Sequence, residues 1–137
     1  MLKQPRVLVL LGATGRLGPA VARAFASWEI RGMSRRPFAP GEITPPMSVW
    51  RLGDRKDPEL LASLLEGADS VVDLLAFDAE AAEILVDICA TLSHPPKHLV
   101  FASSTAQLEV EAIASTPAGN DYARGKFEAG AVYEERF

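Results

Sequence analysis

The feature that most constrains this chain is an unbroken apolar run, Val7-Leu8-Val9-Leu10-Leu11, delivered straight into the glycines Gly12, Gly15 and Gly18 of GATGRLG. A half-exposed strand would alternate apolar with polar residues, so a run without alternation reads as a parallel strand covered on both faces. The glycines then dictate a turn and a helix. Gly12 permits the tight turn, Gly15 lets a phosphate approach bare backbone, and Gly18 lets the next helix pack close with free N–H groups in its first turn. The guest that such a turn suits is a dinucleotide pyrophosphate; a tight strand-to-helix connection that holds nothing is the alternative.

Downstream, strand and helix signals alternate. Leu17, Val21, Ala22 and Phe25 have helical spacing, with Pro19 tolerated in the first turn. A second strand is predicted over Glu29–Met33, a proline-rich loop over 38–48, and a third strand over Val49–Leu52. Asp57-Pro58 reads as a cap and first-turn pair for a helix with Leu60, Leu61, Leu64 and Leu65 on one face, stopped by Gly67. Ser70–Phe77 is expected as the fourth strand, Ala79–Leu92 as a helix and Leu99–Ala102 as the fifth strand, with a last helix from Tyr122 to Phe137. Such alternation predicts an α/β, doubly wound parallel sheet of the Rossmann type with right-handed crossovers. The usual two-half fold has about six strands. With five candidates and a final helix lacking any stop signal, residues 1–137 are expected to form an incomplete dinucleotide-binding domain whose substrate-binding part is absent.

At 137 residues, 48% hydrophobic and 23% charged, the chain suits one soluble domain with a real core. A net charge of −4 offers no general attraction for nucleic acid or anionic membrane, and no stretch reaches transmembrane length. The lone Cys89 excludes an intrachain disulfide and reads as a small buried hydrophobe; it fits a reducing compartment, so a cytoplasmic location is expected. His94 and His98 have no partners at metal-ligand spacing, so no structural zinc is expected.

Tyr122 and Lys126 form YxxxK, which puts both side chains on one helix face. An ammonium near a phenol favours the phenolate and makes tyrosine usable as an acid or base near neutral pH. Ser103, Ser104 and Thr105 follow the fifth strand, at the rim where doubly wound folds bind ligands; there they also suit ordinary turn hydrogen bonds. Asp73 is a carboxylate in a central strand, costly to bury unpaired, and reads as hydrogen-bonded structure.

GATGRLG, Gly53–Asp57 (GDRKD) and YARGK together resemble the short-chain dehydrogenase/reductase superfamily, especially its extended and atypical, epimerase/dehydratase-like branches. The resemblance implies Ser104, Tyr122 and Lys126 as a catalytic set for hydride transfer: Tyr122 moves the proton, Lys126 holds ribose and tunes Tyr122, and Ser104 orients the substrate oxygen. Leu108 and Glu109 stand where tyrosine and glycine are common in that family. It also implies cofactor contacts at Gly12, Thr14, Gly15, Arg16, Leu17 and Gly18 of the turn, at Asp54 for adenine, at Leu75 and Ala76 on the fourth strand, and at Lys126. NADP is expected over NAD, because Met33-Ser34-Arg35-Arg36 lacks the acidic residue that binds a ribose 2′-hydroxyl, while Ser34, Arg35, Arg36 and Arg16 suit a 2′-phosphate. A solvated basic loop is the alternative at these arginines. The expected partners are a small-molecule substrate and a second copy bound through helices 79–92 and 122–137, with little turnover from this chain alone. A noncatalytic dinucleotide sensor, or an RNA-binding relative, is the competing class; the acidic balance disfavours RNA.

Overall fold

The first strand, β1 (Val7–Leu11), is buried along its whole length because layers cover the sheet on both sides. The computed structural model describes residues 3–38, 40, 46–102 and 117–137, the side chains of 117–120 excepted. After β1 come α1 (Leu17–Ala24), β2 (Glu29–Ser34), β3 (Val49–Leu52), α2 (Pro58–Leu65), β4 (Ser70–Asp73), α3 (Ala79–Thr91), β5 (His98–Phe101) and α4 (Pro117–Arg136). The strands form one parallel sheet in the order β3-β2-β1-β4-β5, with Val9 of β1 paired to Arg31 on one side and Val71 on the other.

Pleating splits β1 between two cores. Val7, Val9 and Leu11 join Leu61, Leu64 and Leu65 of α2, Ala82, Leu85 and Val86 of α3, and Ala129 and Tyr133 of α4. Leu8 and Leu10 face the opposite layer, with Ala22 of α1, Ile30 and Val72, and with Val21 and Phe25 packed against them. The chain is therefore doubly wound, as the uninterrupted apolar run requires. Among the described residues no helix is long and apolar enough to cross a membrane.

Local chemistry starts the helices where the sequence places them. Asp57 accepts from the N–H groups of Glu59 and Leu60, at 3.0 and 3.3 Å, ahead of Pro58. Asp78 accepts from Ala81 N–H at 2.8 Å and starts α3. Gly67, at φ +76°, follows the end of α2.

Two boundaries differ from expectation by several residues, and those of β2, α3 and β5 by one. The fourth strand ends at Asp73 rather than Phe77: Leu74 N–H still bonds Leu11 C=O at 3.0 Å, but Leu75 N–H turns to the Asp73 carboxylate at 2.9 Å and the chain leaves the sheet. The last helix begins at Pro117, not Tyr122, with proline in the first turn where no N–H is needed. The two helices expected to face a second copy, α3 and α4, pack against each other, burying Ala81, Ala82, Leu85 and Val86 of one and Ala123, Ala129 and Tyr133 of the other, while Phe127 stays exposed.

Candidate functional site

Every strand ends its carboxyl side at the same edge of the sheet, and the predicted site residues outside 103–116 lie along that edge. The turn after β1 is tied to β2, since the N–H groups of Gly12 and Ala13 both donate to Met33 C=O, at 2.8 and 3.0 Å. Gly12 has φ +103° and Gly15 φ +90°, conformations that favour glycine. A Cβ at Gly15 would meet nothing within 4 Å, so the bare backbone faces open space. At Gly18 a Cβ would lie 2.2 Å from Gly12 O and 2.5 Å from Ala13 backbone atoms; only glycine lets α1 sit down on the turn. The N-cap residue Arg16 makes no side-chain capping bond to α1 among the described residues, Thr14 is half-buried, and Arg16 and Leu17 are exposed. This arrangement fits a pyrophosphate lying over Gly15 against the first turn of α1.

At the end of β2 the Ser34 hydroxyl is buried and engaged. It donates to Arg36 C=O at 2.7 Å and accepts from Trp50 Nε1 at 3.0 Å. It thus holds the turn that displays the exposed Arg35 and Arg36. Arg35 reaches a pocket of about 180 Å³ between the ends of β2, β3 and β4, lined also by Asp54, Lys56, Leu75, Phe77 and Asp78. Arg36 and Ala76 are outside that lining; Ala76 is fully buried. Asp54 accepts from Lys56 N–H at 2.8 Å, whereas Asp57 serves the helix. Lys56 Nζ bridges Glu80 and Asp78 at 2.7 and 3.1 Å, and these bonds raise its pKa. Partial burial opposes ionisation of Asp78, but the Ala81 N–H and the Lys56 ammonium outweigh it and hold the carboxyl below its usual range.

On α4, Lys126 is buried and Tyr122 is exposed. The Lys126 ammonium donates to Ala102 C=O at 3.0 Å, just past β5, and lies 4.6 and 5.0 Å from the ring centres of Phe77 and Phe101. Burial lowers its pKa, against the opposing pull of the Asp73 charge. The Tyr122 ring lies 6.4 Å from that of Phe77. Tyr122, Lys126 and the exit of β5 are thereby gathered around one aromatic residue. Ser104, with Ser103 and Thr105, lies outside the described residues.

Three positions that shape this edge escape a reading of the sequence alone. Gly125, inside YARGK, is where α4 touches the β4–α3 connection: a Cβ there would lie 2.0 Å from Phe77 O. A glycine in a helix interior is the visible signal. The other two are Arg55 and Tyr133, which enclose Asp73. Arg55 Nη2 lies 2.6 Å from Asp73 Oδ2 and 2.7 Å from the Tyr133 hydroxyl, which itself donates to Asp73. All three are buried, and the tyrosine pKa is driven upward by burial and then by the neighbouring carboxylate. Asp73 is therefore paired structure, and a carboxylate in a central strand was the signal that a buried cation had to exist.

The strand order and the glycine turn define a Rossmann-type, doubly wound fold. Particular solved structures share it. A wide-type short-chain dehydrogenase/reductase from Veillonella parvula, in complex with NADP, superposes with TM-score 0.73 over 96% of this chain and 65% of its own, at 14% identity. A putative epimerase from Burkholderia cenocepacia matches with TM-score 0.71 over 98% of this chain and 52% of its own, at 22% identity. A short-chain dehydrogenase/reductase superfamily protein from Agrobacterium tumefaciens with bound NAD gives TM-score 0.71 over 95% and 44%, at 19% identity. This chain thus spans less than two thirds of each. No protein-family model matches the sequence, and neither does any curated protein.

Proposed function

We propose that this chain is the cofactor-binding part of an oxidoreductase or epimerase/dehydratase of the short-chain dehydrogenase/reductase type, and that it takes NADP in preference to NAD. The observation that carries the reading is the convergence of Arg35, Asp54 and Leu75 on one pocket beside the glycine turn. Asp54 and the Leu75 backbone suit an adenine, Arg35 a 2′-phosphate, and the open backbone at Gly15 the pyrophosphate. The bound nicotinamide would supply hydride chemistry. Toward it Lys126 brings a cation with a lowered pKa, one helical turn from the Tyr122 phenol; Tyr122 would exchange the proton and Ser104 orient the substrate oxygen. That set is assigned on the family resemblance.

A noncatalytic dinucleotide sensor is the second reading. It is favoured by the Lys126 ammonium being spent on Ala102 C=O between two aromatic rings. Both readings need the cofactor. Titrating the chain with NADPH and with NADH at moderate salt should give the tighter complex with NADPH. Equal affinities would overturn the NADP preference, and absence of binding by either would overturn the function.

A further inference from the structure

Arg55, Asp73 and Tyr133 come from three separate elements and meet in the core. Arg55 follows Asp54 in the connection from β3 to α2 and itself lines the pocket. Asp73 ends β4, and its second oxygen, Oδ1, holds Leu75 N–H at 2.9 Å. Leu75 in turn lines the pocket and packs where a Cβ at Gly12 would lie 3.2 Å from its Cγ. Tyr133 stands on α4, seven residues beyond Lys126 and so on the same face after two turns.

The guanidinium is held at one nitrogen. Arg55 Nη2 makes both bonds, to Asp73 and to Tyr133, while its Nε and Nη1 are buried with no hydrogen-bond partner among the described residues. Tyr133 is thus one of the two groups that hold Arg55, and with it the pocket wall. The tie also runs the other way, because α4 is secured here by the same polar unit that shapes the pocket.

We infer that Arg55, Asp73 and Tyr133 are positioning residues that couple occupation of the dinucleotide pocket to the seating of α4, the helix bearing Tyr122 and Lys126. The inference rests on the cofactor reading above. It assigns Tyr133, which lies outside the pocket lining, a part in cofactor affinity, and it makes the bound cofactor tighten a helix across the core.

The test compares the native chain with Tyr133→Phe and with Leu85→Ala, a truncation of a fully buried residue in the same core cluster but outside the polar unit. NADPH affinity, thermal midpoint and amide hydrogen exchange are measured for each. NADPH should slow exchange along residues 121–136 of the native chain as well as in the loops at 54–57 and 74–77. In Tyr133→Phe the loops should remain protected, the ligand-dependent protection of α4 should be lost, and the NADPH dissociation constant should rise about fivefold. Leu85→Ala should lower the midpoint yet keep that constant within about twofold and retain the α4 response. Native-like affinity and α4 protection in Tyr133→Phe would overturn the inference, as would losses of affinity that simply follow the midpoint in both variants. Should Tyr133→Phe fail to fold, the native chain still decides, since α4 exchange unaffected by bound NADPH overturns the coupling while leaving the cofactor reading intact. No binding of NADPH by the native chain would instead overturn the cofactor reading, and the coupling with it.

Discussion

Arg35 and Arg36 are adjacent in sequence and unequal in the fold. Ser34 fixes the turn through Arg36 C=O, which leaves Arg35 as the guanidinium at the pocket wall. Arg35→Ala should therefore weaken NADPH by about 1.5–3 kcal/mol, the worth of a charge-assisted contact, and leave NADH nearly unchanged. Arg36→Ala should cost much less, and cofactor titrations of both variants check the ranking. Equal losses at the two positions would contradict it. The arginines and the missing acidic residue were legible in the sequence, since both follow from residue type and place. What the Ser34 hydroxyl bonds was not: Trp50 is sixteen residues away and arrives only through pairing of β2 with β3. For the same reason nothing in GDRKD singles out Arg55, although it is buried at 3% exposure against Asp73.

The elements themselves were visible wherever local signals agree. Asp57-Pro58 and the unalternating β1 mark their own start and burial, and alternation of strand with helix implies a parallel sheet. The fourth strand was overextended because Leu74–Phe77 is as apolar as the residues before it, and apolarity does not report that Leu75 N–H leaves the ladder for a carboxylate. Helix α4 carries the sharpest element-level test. In an isolated helix, replacing Gly125 with alanine would stabilise by about 1 kcal/mol. Here the added methyl would lie 2.0 Å from the Phe77 carbonyl oxygen, a backbone atom that cannot rotate away. The overpacking cost, about 1–3 kcal/mol, should prevail. Thermal unfolding of Gly125→Ala should show a lowered midpoint, roughly by 2–8 °C; an unchanged or raised midpoint would show that α4 does not press on the β4–α3 connection.

For the molecule as a whole, the glycine turn, the Arg35 turn, Asp54, Leu75 and the Lys126 ammonium lie along one edge because every strand runs the same way. We propose that a dinucleotide lies along that edge, with its adenosine half in the pocket of Arg35, Asp54 and Leu75 and its pyrophosphate over Gly15. The most direct test is to follow the backbone amide resonances of the isotope-labelled chain while NADPH is added. Shifts concentrated at Gly12–Gly18, Arg35–Arg36, Asp54–Lys56 and Leu75–Phe77 are the predicted result. Shifts confined to the opposite edge, around Glu29 at the start of β2 and around Asp69 and Lys97 just before β4 and β5, or none at all, would contradict it.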